Sequence, residues 1–396
     1  MSKRYQGGIL GVGFNPLQAP NAPTIGTATA GGNNCASVAF TAPANVGGSA
    51  VTGYTWRSNI GGFSGVAAGS PITVSGLTNG ASYTFGVFAL NNYGPSPISA
   101  FSNSITASLD GTFAVFALQG GSTTRNKYTY AGDVVSSATA ATVGSQIGSA
   151  AGNSTRGIFA LGLVSGTGST LRNKYTYAGD VVSAGGAATI GSYSGSAAGN
   201  STVGIFAIGL ANCVGVVSTR DKYTYSNDAV SAGGAATSPS RIGSAAGNST
   251  TGVFALGLAC FSYSTTRNRY TYSNDAVAAG GAATVASFGG SAAGNSTIGI
   301  FALGCTSCGV VSTRNKYTYS GCVVSAGTAA TAASRSGSAA GNSSRGIFAL
   351  GWDGSSNVTT RDKYTYAGDV VSAGGAATAA TQENSAASNG TAGVNM

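Results

Sequence analysis

The sequence predicts an all-β protein in two parts, a two-sheet sandwich followed by a closed ring of six repeated sheets. Three observations lead to this prediction. The chain combines 64 Gly with 18 Tyr and a hydrophobic fraction of 42%, which is too apolar for a disordered polar chain. Turn-forming residues separate short runs of β-forming residues. A segment that reads Lys-Tyr-Thr-Tyr, or once Arg-Tyr-Thr-Tyr, occurs six times in the second part.

The first 18 residues are expected to form an arm that docks to another protein. Their apolar run, Ile9–Phe14, is too short and too rich in Gly for a signal peptide. No stretch of the chain approaches the roughly 20 consecutive apolar residues of a membrane span. We therefore expect a protein made in a cytoplasm without a signal peptide, with an arm over residues 1–18, a sandwich over 19–108 and the repeats over 109–396.

Residues 19–108 alternate strand-like runs with Pro and Gly turns. The most specific stretch is Ile72–Gly94, in which Leu77 lies six residues before Tyr83 and alternating apolar residues follow. This stretch resembles the tyrosine-corner region of fibronectin type III domains. Phe40 stands where many members of that family carry a buried Trp. The resemblance implies a fibronectin-type-III-like sandwich, and the simplest role of such a module is that of a spacer.

The rest of the chain is one unit repeated six times with a period of 47 or 48 residues. Each repeat contains four strand-like segments, which in the second repeat are Gly148–Asn153, Gly157–Gly162, Arg172–Tyr177 and Asp180–Ala184. The first is built from small residues, as the crowded centre of a ring requires. The second is continuously apolar, as a strand covered on both faces requires. The third alternates, which places its two Tyr on one face.

The ends of the repeat region predict a ring rather than a rod. The first repeat begins at its second segment, Asp110–Leu118, and the last repeat ends just after its first segment, Ser385–Thr391. Each segment type therefore occurs six times, and the C-terminus supplies the missing first strand of the first sheet. This offset would latch a six-bladed β-propeller and remove its sheet edges. A β-solenoid, the alternative for this period, has no use for the offset.

The repeat resembles the kelch repeat of β-propellers in the order of its Gly-Ser-Ala-Ala-Gly-Asn, Ile-Phe-Ala-Leu-Gly and Arg-Asp-Lys-Tyr-Thr-Tyr segments. It differs from that family in two respects. The double glycine after the second strand is present only at Gly120–Gly121, and the Trp of the fourth strand is missing. The resemblance implies a kelch-like propeller fold.

The composition argues against an enzyme. The chain has no His, which removes the usual general base near neutral pH and the commonest metal ligand. Glu383 is its one Glu, and its nine Asp lie mostly at repeating positions, so no catalytic carboxylate pair stands out. Cys305 and Cys308 form a lone CxxC motif with neither a second such motif nor a βαβ context. We expect no catalytic residue, no cofactor and no metal site.

The net charge of +9 does not by itself indicate a nucleic-acid-binding protein. Twelve of the 19 basic residues occupy two positions in the third segment of every repeat, so repetition rather than a basic patch accounts for most of the charge. These twelve are Arg125, Lys127, Arg172, Lys174, Arg220, Lys222, Arg267, Arg269, Arg314, Lys316, Arg361 and Lys363. Nucleic-acid binding is therefore disfavoured.

The six repeats differ from one another mainly in two classes of loop. The loop between segments two and three and the loop between segment four and the next segment one are variable, whereas the Asn-Ser-Thr and Ala-Gly-Asp turns are nearly constant. Since successive loops of antiparallel strands alternate ends, both variable classes are expected on one face. The candidates for a ligand face are Tyr193, Asn212, Arg241, Phe261, Tyr263, Phe288, Arg335, Trp352, Asp353 and Asn357. Such groups suit a saccharide or a protein partner, and relaxed drift of unconstrained loops is the alternative.

A chain without catalytic groups that joins a fibronectin-like spacer to a repeated head resembles virion proteins of tailed bacteriophages. The resemblance implies a non-enzymatic structural or adhesion protein, such as a tail fibre or a tail-associated host-recognition component. Its arm would bind other virion proteins, and its loop face would bind a host-surface glycan or protein. It would be made in the host cytoplasm and be present in several copies in the virion. The alternatives are a capsid decoration protein and a bacterial surface lectin.

Overall fold

The computed structural model describes residues 17–32, 35–78, 81–107, 112–118, 120–259, 262–382 and 385–389. The chain divides into two compact units, Met1–Leu109 and Asp110–Met396, here termed the sandwich unit and the repeat unit. Both are built from antiparallel strands, and one 3-10 turn at Ser320–Cys322 is the helical element among the described residues. The arm expected over residues 1–18 lies outside the described residues, except for Leu17 and Gln18.

The sandwich unit consists of two sheets and a short ladder. Its strands are β1 Thr24–Gly32, β2 Cys35–Thr41, β3 Gly53–Ser58, β4 Ser64–Ala67, β5 Ile72–Val74, β6 Ser82–Tyr83, β7 Phe85–Asn91, β8 Gly94–Pro95 and β9 Ile105–Thr106. One sheet has the order β1-β2-β5, the other has the order β4-β3-β7-β8, and β6 pairs with β9. Residues from both sheets, such as Val38 of β2 and Val87 of β7, are fully buried in one shared core. This two-sheet arrangement is fibronectin-type-III-like.

The tyrosine corner predicted from the sequence is present. The Tyr83 hydroxyl accepts a hydrogen bond of 3.0 Å from the backbone N–H of Thr78, and Leu77 is buried in the same core. Phe40, at the position of the family's buried Trp, is also buried, with its ring centre 4.5 Å from that of Tyr54. A smaller aromatic residue therefore fills this part of the core with the help of a neighbouring ring.

The repeat unit contains six four-stranded antiparallel sheets, which we number in the chain order of their third strands. The first strands of sheets one to six are Ser385–Ser388, Ser149–Gly152, Ser196–Gly199, Ser244–Gly247, Ala292–Gly294 and Ser338–Gly341. The second strands are Phe113–Ala117, Arg156–Ala160, Val203–Ala207, Thr251–Ala255, Ile298–Ala302 and Arg345–Ala349. The third strands are Arg125–Thr129, Arg172–Thr176, Arg220–Thr224, Arg267–Thr271, Arg314–Thr318 and Arg361–Thr365. The fourth strands are Val134–Ala138, Val181–Ala184, Ala229–Gly233, Ala276–Ala279, Val323–Gly327 and Val370–Ala373.

Sheet one is assembled from both ends of the repeat unit. Its first strand, Ser385–Ser388, pairs antiparallel with its second strand, Phe113–Ala117, so that Ala387 lies opposite Val115. Small side chains suit this position, because Ala386 and Ala387 are fully buried. The C-terminal strand therefore covers a sheet edge that the first repeat leaves unpaired.

Neighbouring sheets are joined by a buried arginine. The first residue of each third strand is an Arg with at most 3% of its surface exposed. Arg220 of sheet three lies over the Phe254 ring of sheet four, 4.5 Å from its centre, and donates a hydrogen bond of 3.2 Å to the side-chain oxygen of Asn268. Burial lowers the pKa of Arg220 to about 10, so the side chain remains charged at neutral pH. The aromatic face and the amide oxygen stabilise this buried cation.

The same contact recurs at every junction between sheets. The other five sets are Arg125 with Phe159 and Asn173, Arg172 with Phe206 and Asp221, Arg267 with Phe301 and Asn315, Arg314 with Phe348 and Asp362, and Arg361 with Phe116 and Asn126. The last set joins sheet six to sheet one. Half of the basic residues that repeat in the third strands are therefore buried structural groups.

The two constant turns also join neighbouring sheets. Between the first two strands, the side-chain oxygen of Asn200 accepts hydrogen bonds from two N–H groups of its own turn, and its amide donates to the carbonyl of Ser249 in the next sheet. Between the last two strands, Asp275 has a left-handed φ of 59° and accepts hydrogen bonds from Lys222 of the preceding sheet and from Tyr270. These bonds give a structural reason for the constancy of both turns.

Candidate functional site

The two classes of variable loop lie together, because they pair with each other through their backbones. Ser192–Tyr193, which precedes the first strand of sheet three, pairs with Leu210–Ala211, which follows the second strand of the same sheet. Ser240–Arg241 and Leu258–Ala259 pair in the same way in sheet four. The variable residues are therefore held on short ladders rather than at the tips of free loops.

Five residues with left-handed backbone conformation form a hydrogen-bonded chain across these loops. They are Ile147, Ser194, Ile242, Gly289 and Ser336, with φ between 53° and 63°. Each of the last four donates its backbone N–H to the carbonyl of the one before it, over 2.7 to 3.1 Å. A β-branched residue such as Ile242 rarely adopts this conformation, and strained positions are concentrated where function needs a fixed geometry. The hydrogen-bonded chain locks the loops to one another.

The residue that precedes each member of this chain is not constant among the sheets. At the corresponding position, sheets one to six carry Gln382, Gln146, Tyr193, Arg241, Phe288 and Arg335. All of these except Gln146 line a cavity of about 270 Å³. Sequence reasoning included Tyr193, Arg241, Phe288 and Arg335 and missed Gln382. Aligning the six repeats on the Ser-Ala-Ala of their first strands would have found it.

Packing fixes the neighbouring positions that do not vary. The residue two positions after the variable one is Gly in sheets two to six. A Cβ atom on Gly195 would lie 2.0 Å from the carbonyl oxygen of Ala207, so a larger residue does not fit there. The repeats therefore vary where side chains line the cavity and stay constant where the backbone leaves no room. This pattern is typical of a binding site built on a rigid scaffold.

Two of the cavity side chains are stacked on aromatic residues of the loops that follow second strands. The ring centres of Phe288 and Tyr263 are 5.0 Å apart, with an angle of 31° between the rings. The guanidinium carbon of Arg335 lies 4.5 Å from the centre of the Trp352 ring, and the backbones of these two residues exchange two hydrogen bonds. Tyr263 and Trp352, both expected on a ligand face, thus hold cavity residues in place.

The cavity is cationic, so far as the described residues show. Neither Arg241 nor Arg335 has a carboxylate partner among them. The Nε atom of Arg335 is buried and has no hydrogen-bond partner within the same residues. Glu383, which follows Gln382 in the sequence, lies outside the described residues. Unpaired guanidinium groups in a concave site attract anions.

The remaining described candidates, Asn212, Asp353 and Asn357, do not line the cavity. The side chain of Asn212 accepts a hydrogen bond from the backbone N–H of Gly168 and donates one to the carbonyl of the same residue, so it joins two neighbouring loops. Backbone N–H groups of its own turn, together with a hydroxyl, hold the pKa of Asp353 below its usual value. Asn357 is exposed on the same loop. Phe261 lies outside the described residues.

Groups that could support chemistry are sparse in the part of the chain that the structure describes. There, no set of three or more His, Cys, Asp or Glu side chains lies close enough together to hold a metal ion. Cys305 is half-buried and Cys308 is exposed, and the two belong to one short hairpin. None of the described segments forms a helix with the length and apolar character needed to cross a membrane.

Comparisons with known proteins find partial similarity to solved structures. No family model and no curated protein matches it. A crystal structure of domains from titin is 26% identical over 23% of this chain and 32% of that chain, with a TM-score of 0.22. The twitchin kinase region from C. elegans is 25% identical over 23% of this chain and 17% of that chain, with a TM-score of 0.21. This chain thus spans about a third of the first structure and about a sixth of the second. The resemblance to phage and kelch proteins receives no support from these comparisons.

Proposed function

We propose that the repeat unit is a closed, six-bladed, kelch-like β-propeller whose loop face binds a ligand. Two observations support closure. The C-terminal strand Ser385–Ser388 completes sheet one. Arg361 of sheet six contacts Phe116 and Asn126 of sheet one in the same way as the arginines of the five other junctions. Six sheets in a ring form six junctions, whereas six sheets in a rod with free ends form five.

The cavity is the observation on which the binding function rests. A purely structural ring would repeat one side chain at all six positions, as the first strands repeat Ala. The cavity instead carries Tyr193, Arg241, Phe288 and Arg335 in succession and Gln382 after them. Its lining is therefore asymmetric and combines aromatic rings with cationic and amide groups. A concave site with aromatic surfaces and a few polar groups is the usual form of a small-ligand site.

The protein in this proposal is a non-enzymatic adhesion component of a tailed-phage virion, such as a tail fibre or a tail-associated host-recognition protein. Its placement in a virion rests on the sequence resemblance alone. A capsid decoration protein is the alternative within the structural class, and a bacterial surface lectin is the alternative from another class. Sequencing the proteins of purified virions separates the two classes, because a lectin of the bacterium would be absent from them.

The proposed docking arm can be tested on the same virions. A deletion should end at residue 16, because Gln18 donates its backbone N–H to Gly47 and accepts a hydrogen bond from the side chain of Asn91. The shortened chain should keep both units folded and fail to enter the virion. Normal incorporation would show that residues 1–16 are not the docking segment.

A matched pair of substitutions tests the loop face. Phe288→Ala removes an aromatic side chain from the cavity, whereas Ser249→Ala changes an exposed residue of a constant turn. The two variants and the unchanged protein are applied to host cells and to a panel of bacterial-surface saccharides. If Phe288 is a hot spot, its loss should cost about 2 kcal/mol of binding free energy, or roughly 30-fold in affinity. Equal binding by both variants would favour loop drift instead.

A further inference from the structure

We infer that the cavity among the variable loops binds a sugar that carries an anionic group, either a carboxylate or a phosphate. This inference deepens the proposed binding function and rests on it. Two arginines, Arg241 and Arg335, and two aromatic residues, Tyr193 and Phe288, line the same cavity. The guanidinium groups match the anion, and the aromatic rings match the apolar face of a sugar ring.

The arginines of the cavity differ from the arginines of the sheet junctions in their hydrogen bonding. Every junction arginine donates to an Asn or Asp side chain of the next sheet, as Arg172 does to Asp221 over 2.7 Å. Among the described residues, Arg241 and Arg335 have no such acceptor, although Arg335 is partly buried. This protein provides acceptors for its structural guanidinium groups. The cavity therefore has donor groups to offer to a ligand.

One of the cationic groups is held in a fixed position before any ligand binds. Arg335 is stacked on Trp352 at 4.5 Å, and its backbone is tied to that residue by hydrogen bonds of 2.9 and 3.0 Å. The backbone of Arg241 is likewise fixed by its ladder with Leu258. Because the Arg335 guanidinium group loses little freedom on binding, ordering it subtracts little from the free energy of binding an anion.

The size and the remaining lining of the cavity favour one sugar ring over a polymer. Its volume of about 270 Å³ lies just below the range of about 300–1,000 Å³ that is usual for small-ligand pockets. The amide of Gln382 offers both a donor and an acceptor for sugar hydroxyl groups. A nucleic acid strand would instead need a basic groove that follows its backbone.

Calorimetric titration of the whole 396-residue chain tests the inference with three matched probes, which are glucuronic acid, glucose 6-phosphate and glucose. These sugars differ in the presence and the kind of the anionic group. We expect at least one of the two acids to bind at least tenfold more tightly than glucose, and the difference to shrink as the salt concentration is raised. The acid that binds more tightly identifies the anionic group.

Substitutions locate the effect in the cavity. Arg335→Gln and Arg241→Gln should each remove most of the preference for the acid, whereas Arg57→Gln, which removes one charge from an exposed position of the sandwich unit, should leave it unchanged. Glu383→Gln should bind the acids at least as tightly as the unchanged protein, since it removes a negative charge next to Gln382 in the sequence. Melting temperatures measured in parallel show that each variant is folded.

Three results would overturn the inference. If glucose and both acids bind equally, or if Arg57→Gln acts like Arg335→Gln, the site does not select an anion, and the proposed ligand-binding function still stands. If none of the three sugars binds, the inference fails. Binding to the saccharide panel and to host cells then decides whether the proposed function fails with it.

Discussion

Replacing Arg361 and Arg220 by Ala in parallel tests whether the repeat unit is a closed ring. The two arginines form a matched pair, because both are fully buried and both donate a hydrogen bond of 3.2 Å to an Asn. Their guanidinium carbons lie 4.4 and 4.5 Å from the centres of Phe rings. Arg220 joins two sheets that are consecutive in the chain, whereas Arg361 joins sheet six to sheet one. The two junctions are equivalent only in a ring.

The expected cost follows from the contacts that Ala removes. A hydrogen bond from a charged donor contributes about 2 kcal/mol, and a desolvated cation–π contact contributes about 2 kcal/mol. The cavity left by the shortened side chain adds to the loss. Burial of the cation is unfavourable, as the pKa of about 10 of both arginines shows. Removing the cation therefore offsets part of the lost stability. We expect each variant to lose about 3 kcal/mol in the free energy of unfolding, or roughly 6 °C in melting temperature.

Differential scanning calorimetry of the whole 396-residue chain measures both variants against the unchanged protein. The transition of the sandwich unit serves as an internal control, because both substitutions lie in the repeat unit. A normal melting temperature for Arg361→Ala beside a lowered one for Arg220→Ala would refute the ring, since Arg361 would then lie at a free end. If neither variant lowers the melting temperature, the energy assigned to the junction contact is wrong.

Three further predictions concern the C-terminal strand, the ion pairs and the loop face. Deleting Ser385–Met396 should lower the melting temperature of the repeat unit more than a single junction substitution does, because sheet one loses a strand; a cooperative transition at an unchanged temperature would contradict closure. Burial by itself raises the pKa of Asp133. Hydrogen bonds, of which the one from Lys363 has the largest effect, outweigh burial and lower this pKa below its usual value in the folded protein. Asp133→Asn should therefore lower the melting temperature at pH 7, and the difference should disappear as the pH falls below about 3.9 through the folded pKa; calorimetry at pH 2 that still shows the full difference would argue against this ion pair. Trp352→Ala should weaken ligand binding because Arg335 loses its stacking partner, while Trp352→Phe should retain most of the affinity in the same titration; equal losses in both variants would rule out stacking as the cause.

The sequence by itself determined where the strands lie in the chain and which strands form each sheet of the repeat unit. The segments Arg172–Tyr177 and Asp180–Ala184, expected from residue pattern, correspond to strands Arg172–Thr176 and Val181–Ala184. They could be predicted because the side-chain period is a local property of a strand. The tyrosine corner at Tyr83 was equally accessible, since its hydrogen-bond partner lies only five residues away. Counting segment types also predicted that the C-terminal strand would pair with the first repeat.

The tertiary structure decided which of several similar residues join neighbouring sheets and which line the cavity. Arg220 and Arg335 are both basic residues of the repeat unit, yet Arg220 contacts an Asn and a Phe of the next sheet while Arg335 lines a cavity. Asn212, expected on the ligand face, is engaged with Gly168 of a neighbouring loop. These differences arise from contacts between segments about one repeat apart in the sequence or at opposite ends of the repeat unit. No local pattern encodes such contacts, because they depend on which surfaces meet when the sheets assemble.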